Sequence, residues 1–395
     1  MLPIVFSSTD QGAPVLNNAP GSLISVLDAC LVSGFNSVGI FSITITDNVA
    51  TVVTSAGHGL VVGNRVTVTG VSIAAALGDK TVASVVNSTT FTYPCVNANN
   101  TESPVSATIK RTPLGWIKEF NKTNVAMYKM SDPASYGQRL CIDDTAGFDA
   151  ISFGVINPTS VDDYLDRFPK TAQVRGNSYW TKGMNNTSAK KWWVVGDERF
   201  FYYICEGSAY YGQHTETSYS YMVGTFGDVL SYKNAEAFGA IWTGCPGPTN
   251  SYPDSPLLQH HNLAQDPGAS GYGRTIARDN TGLEDSPTCA FIHPGGVSPG
   301  SSSAIFPSQV DNGLILASPS FISERKPSQN HPVRGILPGL LVPFANYIQF
   351  PNSSQKPWEI TTTDGSGVKA LLWSYCFMGS SAAYTLVLDT SRLWR

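Results

Sequence analysis

The sequence predicts a mainly β protein: a large β-rich domain with a few short helices, and a small β-barrel or sandwich module near its start. Three observations lead there. Residues 41–110 alternate with period two, as in Ile43/Ile45, Val66/Val68 and Phe91/Tyr93, the pattern of half-buried strands. Residues 191–205 set two runs of bulky side chains on either side of Gly196-Asp197-Glu198, the pattern of a hairpin covered on both faces. Third, of 395 residues only 14% are charged, while 36 are Gly and 25 are Pro. An ordinary soluble domain carries about 25% charge. With 42% apolar residues, 18 Phe, 17 Tyr and 8 Trp, the chain has ample material for a core and does not belong to the disordered class.

In order along the chain, residues 1–20 read as an extended arm punctuated by Pro3, Pro14 and Pro20. Residues 21–40 are a helix and link belonging to the main domain. Leu23, Val26, Leu27, Cys30 and Leu31 fall at i, i+3, i+4, i+7 and i+8, with Ser22 placed to cap and Ser33-Gly34 to stop the helix. Its apolar face must dock on something, and Leu23, Val26, Leu27 and Leu31 are the candidate assembly interface. The small module, 41–110, has turn signals at Asp47-Asn48, Gly57-His58-Gly59, Gly63-Asn64, Gly78-Asp79 and Asn87-Ser88, which divide it into about six short strands. Residues 111–395 form the main β-rich domain. Within it the 192–205 hairpin is expected at the centre, Ser160–Arg167 as a brief helix, and 244–313 as long loops rich in Pro, Gly, Ser and Asn. Strand character returns at 369–377 and 382–389.

Several function classes find no support. Lys+Arg 25 against Asp+Glu 29 gives a net charge of −4, without the basic footprint that nucleic-acid binding requires. The opening MLPIVFSSTDQG has neither a basic nor a long apolar region, so no secretory signal is expected, and no run is long enough to insert in a membrane. The seven cysteines are scattered without a CxxC pair and read as small buried hydrophobes. Gly296-Val297-Ser298-Pro299-Gly300 matches the nucleophile-elbow pattern, but Pro299 has no N–H to donate to an oxyanion. Cys245, His260, His261, Cys289 and His293 lack the paired spacing of a zinc site. Asp143, Asp144 and Asp149 do not alternate as calcium ligands and read as turn residues. No catalytic, cofactor-binding or metal-binding residues are assigned, and no cofactor is expected. Tyr210, Tyr211, Tyr219 and Tyr221, interleaved with polar residues, are the candidate loop for contact with a host-surface glycan.

Two resemblances add a context. Gly57-His-Gly-Leu-Val-Val-Gly-Asn-Arg-Val-Thr-Val-Thr-Gly70 resembles the GHGLxxGxxVxVxG signature of a small β module common in tailed-bacteriophage virion proteins, especially tail proteins. Over most of its length the chain also resembles an uncharacterised family of phage virion structural proteins. The stretches that carry this are Ala13–Asn17 with Gly21–Phe35, Gly115–Phe120 with Asn124–Tyr128, Ile142–Thr145, Trp193–Tyr202, Phe226–Tyr232 and Arg334–Leu340. The ending Leu388–Arg395 matches that family's D-[IL]-T-G-P-W close only loosely. The resemblance implies a place, the virion assembled in the bacterial cytoplasm, and no reaction. On that basis the chain is expected to be a non-enzymatic structural component, most simply of the tail or baseplate. Its partners would be copies of itself and other virion proteins. The alternatives are a head-associated protein (capsid decoration, vertex fibre or head–tail connector component) and, in another class, a host-glycan-degrading enzyme. The arm and helix are expected to tether subunits, so that removing residues 1–34 would abolish incorporation and leave the remaining domains folded.

Overall fold

The computed structural model describes residues 2–147, 149–174, 176–182, 188–207, 220–245, 273–283, 287–292, 310, 316–317, 321–325, 332–343, 358–361, 369–376 and 383–395. The architecture is mainly β, with four antiparallel sheets, one short helix and two single 3₁₀ turns among these residues. The 192–205 hairpin organises the larger part. Its strands Trp192–Gly196 and Phe200–Gly207 lie second and third in a ten-stranded sheet. Alternation divides their side chains between two cores. Trp192, Val194, Phe201, Tyr203 and Cys205 face one, and Trp193, Val195, Phe200, Tyr202 and Ile204 face the other.

The first core is closed by the helix and a six-stranded sheet, which contributes Tyr128, Leu140, Ile142, Phe168 and Trp180. The second is closed by a five-stranded sheet that brings Leu340, Leu386 and Leu388, joined by Trp394. The result is a three-layered β sandwich in which the central hairpin, Trp192–Gly196 with residues 200–205, is buried on both faces, the arrangement anticipated by its unbroken apolar runs. Arg274–Ile276 and Thr288–Ile292 also belong to the middle sheet. The expectation of loops throughout 244–313 is therefore corrected at those two strands, where Ile276 and Cys289 are buried.

The helix runs Ser22–Leu27 and continues as a π turn, Asp28–Ser33, ended by Gly34 at φ 70°. Ser22 does not cap it; its Oγ donates to Asn17 O at 2.5 Å. The exposed N–H groups instead find Asp144, whose Oδ2 accepts from Leu23 N at 2.8 Å and Ile24 N at 3.2 Å. At the far end Leu114 N and Trp116 N donate to Cys30 O and Leu31 O. Leu23, Val26, Leu27 and Leu31 are fully buried in the chain's own first core. The assembly-interface assignment is thus corrected: the face is already covered by residues of the same chain.

The arm is corrected likewise. Ile4–Ser7 is an edge strand paired antiparallel with Trp192–Gly196, and Leu16 is buried and bridges Lys190. Residues 160–166 form a bend rather than a helix, because Asp163 O accepts from Thr159 N and Ser160 N, against the helical direction, and Leu165 N donates to Ile156 O; Arg167 begins the strand Arg167–Phe168.

The inserted module is an eight-stranded sheet that begins at Phe35, six residues before the expected boundary, in a 12-residue strand to Thr46, and ends with Thr108–Arg111. Its outer strands are Gly78–Thr81 and Ser84–Asn87, separated in sequence by Val82 and Ala83 alone. Two residues span at most about 11 Å between the flanking strands. The two edges therefore lie side by side, and the sheet curls into a barrel around Ile43, Ile45, Val52, Val66, Val68, Phe91 and Tyr93.

Because the first 34 residues fill the first core, deleting them should unfold the large domain; loss of its near-UV circular dichroism would show this, and a native spectrum would refute it. Leu27→Ala is expected to cost about 2–5 kcal/mol in denaturant unfolding.

Candidate functional site

Two places gather the polar chemistry of the described residues, and both join parts of the fold. The first is where the module meets the arm. The Gly57-His58-Gly59 turn lies over Gln11: Gln11 Nε2 donates to Gly57 O and Asn36 Nδ2 to His58 O, each at 2.7 Å. Gly59 adopts φ 59° against the Gln11 side chain, and a Cβ there would stand 2.5 Å from Gln11 Oε1. His58 is buried, its ring edge-on to Phe91 at 5.3 Å, and its Nδ1 accepts from Leu60 N at 2.9 Å. Burial holds its pKa below the usual histidine value, the backbone of Thr90 and Asn87 opposing this in part.

Each fixed position of the GHGLxxGxxVxVxG signature has a structural duty. Leu60, Val66 and Val68 are core residues, and Gly63 and Gly70 take positive φ. The variable positions face outward. Hydrogen bonds from His58 N to Ser88 O and from Gly63 N to Val82 O pin the turn alongside Ser84–Asn87. Val61 and Val62 in this turn (61% and 64% exposed) and Val85 and Val86 on that strand (36% and 62%) are open to solvent. The module thus presents valines to solvent where a polyanion or a sugar binder would present cations or polar forks.

Arg111, the last residue of the module, anchors it from the other side. Its guanidinium lies over the Phe6 ring, donates to Val5 O at 2.8 Å and pairs with Asp10 at 3.4 Å. Asp10 also binds Ser7 N, and its own N–H binds Ser7 O. The pair therefore occupies the outer hydrogen-bonding groups of the edge strand Ile4–Ser7, which would otherwise invite another strand.

The second place is the Gly196–Arg199 turn. Asp197 Oδ1 accepts from Arg199 N and Phe200 N, both at 2.8 Å, and Trp116 Nε1 donates to Asp197 O at 2.9 Å. Arg199 grips Asp228 Oδ2 through Nε and Nη2 at 3.0 and 2.8 Å, and Tyr136 N adds a third bond at 3.1 Å. Arg395 reaches Asp228 O at 2.9 Å and Asp197 Oδ2 at 3.7 Å. Trp394 packs edge-on to Tyr202, whose hydroxyl donates to Pro338 O at 2.7 Å. Four of the stretches that carry the resemblance meet here, together with the last residues of the chain. Burial raises the pKa values of Asp197 and Asp228 and the arginines oppose it. Both carboxylates are clamped by guanidinium and backbone groups, which suits a structural joint and not a general acid or base in reach of substrate.

A third buried polar cluster sits between sheet strands, where Arg334 binds Glu236 at 2.6 Å and also binds Glu324. No group of three potential metal ligands occurs among the described residues, and no helix there is long and apolar enough to cross a membrane. Asp143 accepts from Thr145 N and Oγ1, a turn contact. Cys30, Cys95, Cys141, Cys205, Cys245 and Cys289 are buried, and burial lifts Cys141, Cys205 and Cys289 to about 12. Tyr210, Tyr211 and Tyr219 lie outside the described residues, as do His260, His261, His293 and the 296–300 stretch. Tyr221 is placed by its backbone alone, opposite Glu206 in the middle sheet.

No family model and no curated protein matches the chain. Among solved structures it is similar to the phage phi92 endosialidase, with 14% identity and a TM-score of 0.16 over 90% of this chain and 51% of that one. The chain spans about half the length of that structure, and a likeness at this score carries no argument about fold or activity.

The lowered pKa of His58 has a definite sign. Its contribution to stability is complete above the unfolded value of about 6.5. It is lost as the pH falls towards the folded value, because the unfolded chain takes up the proton first. Thermal unfolding of the module should weaken between pH 7.5 and 5.5, and His58→Phe should flatten that dependence; an unchanged slope would show that the imidazole is not the cause.

Proposed function

We propose that the chain is a structural component of a tailed-phage virion, most simply of the tail or baseplate, and that it works by contact with other virion subunits rather than by chemistry. The observation that carries this reading is the convergence at the Gly196–Arg199 turn. Four stretches resembling a virion protein family meet there with the last residues of the chain, and Asp197, Arg199, Asp228 and Arg395 spend their charges on one another. What resembles the family is a scaffold, and the groups left facing outward are sparse in charge. A subunit set among neighbours tolerates such a surface, since each contact desolvates few ions.

The module is the part best suited to reach a neighbour. It is joined to the large domain by two chain crossings, at Gly34 and Arg111, and bears the exposed valines of the GHGL turn. Within a particle these valines would pack on another virion protein, for which an uncharged apolar face is suitable chemistry.

Quantitative mass spectrometry of particles separated into heads and tails should find the chain in the tail fraction, in tens of copies or fewer; a head-only location in hundreds of copies would overturn the tail assignment. Replacing Val61, Val62 and Val86 together by Thr should leave the circular dichroism and unfolding midpoint unchanged and lower incorporation at least about tenfold, the effect of about 1.4 kcal/mol of lost contact. Wild-type incorporation would remove the module face from the contact.

A further inference from the structure

We propose that Lys182 and Asp144 are joined by an intramolecular isopeptide bond, formed between Lys182 Nζ and Asp144 Cγ with loss of one water. Three observations lead to it. Both side chains are wholly buried, at 0% exposure each. Lys182 Nζ touches Asp144 Oδ1 yet makes no hydrogen bond with it: Oδ1 has no hydrogen-bond partner, while Nζ donates to Ala19 O at 2.9 Å. An ammonium meeting a carboxylate as an ordinary ion pair sits on an oxygen lone pair. The tight Arg334–Glu324 pair of the same protein does so and keeps its hydrogen bond. At Lys182 the contact with Oδ1 lacks that directed bond.

The third observation is Asp144 Oδ2, which receives Leu23 N at 2.8 Å and Ile24 N at 3.2 Å. Two backbone donors on one oxygen are what a tetrahedral intermediate of acyl transfer needs. The surroundings also favour a neutral carboxyl. Burial pushes the Asp144 carboxyl upward, with Lys182 and the two backbone N–H groups opposing.

The step balances within the pair. One proton passes from the Lys182 ammonium to Asp144 Oδ1, leaving an amine and a carboxylic acid. The nitrogen lone pair then forms the N–Cγ bond, and the displaced electron pair collects on Oδ2, facing Leu23 N and Ile24 N. A second proton moves from Nζ to Oδ1, the Cγ–Oδ1 bond breaks, and water leaves as Oδ2 restores the double bond. The third proton stays on nitrogen, towards Ala19 O. Nothing is oxidised or reduced. Fixed proximity replaces an external catalyst, and a dry site favours loss of water.

The link would close the chain between the ends of Arg139–Asp143 and Tyr179–Thr181 and restrict the unfolded state as a disulfide does, without needing an oxidant. The full-length protein, purified and denatured, should weigh one water less than its sequence. Trypsin should leave Lys182 uncut and release a branched peptide carrying Asp144. Lys182→Arg and Asp144→Ala should each restore the full mass. A wild-type chain of full sequence mass with linear peptides at both residues would overturn the proposal. So would a water loss with no branched peptide, which marks dehydration elsewhere.

Discussion

A strand that is bulky on both faces must be covered on both, and residues 192–205 impose that constraint on the rest of the chain. One face calls for the helix and the six-stranded sheet, the other for the five-stranded sheet. The Gly196–Arg199 turn at its tip then becomes the point where distant segments have to agree. Trp116, Tyr136, Asp228, Pro338, Trp394 and Arg395 all reach that tip or the strand beside it. The arm falls into place as a consequence, since Ile4–Ser7 completes the edge of the same sheet.

The buried charges follow a common plan. Asp228 with Arg199, and Arg334 with Glu236, each tie segments that lie apart in sequence. Taking such groups out of water offsets most of their attraction, so pairs of this kind contribute little net stability but penalise every arrangement that leaves a partner alone. In a protein built of four sheets, where a slipped register exchanges the two faces of a strand, that penalty selects one stacking. The same economy explains the low charge content: ions are kept for joints, and the outside is left to Ser, Thr, Asn and scattered valines.

What was legible in the sequence, and what was not, divides by distance along the chain. Leu23, Val26, Leu27 and Leu31 announce an apolar helix face, but periodicity says only that the face is covered, not by which residues. The cover turned out to be the chain's own sheets. Ser22 looked like the cap because caps are usually local, whereas the acceptor, Asp144, lies 121 residues away. Residues 160–167 suggest a brief helix, yet Asp163 O takes the N–H groups of Thr159 and Ser160 and turns the chain back. Local geometry was readable where glycine forces it: the Gly57–Gly70 signature announces a tight turn into an alternating strand, and that is its form. The role of His58 as a buried wedge, and the meeting of Lys182 with Asp144, depend on residues brought together only by folding.

Residues 1–34 belonging to one cooperative core with the central hairpin is the claim on which the account rests. Native-state hydrogen exchange followed by mass spectrometry measures it most directly. The amides of Ile4, Phe6 and Leu23–Leu31 are predicted to exchange as slowly as those of Trp192–Cys205, through the same global opening. Rapid exchange across 4–31 beside a protected hairpin would mean that the segment is not part of the core, and would contradict the account.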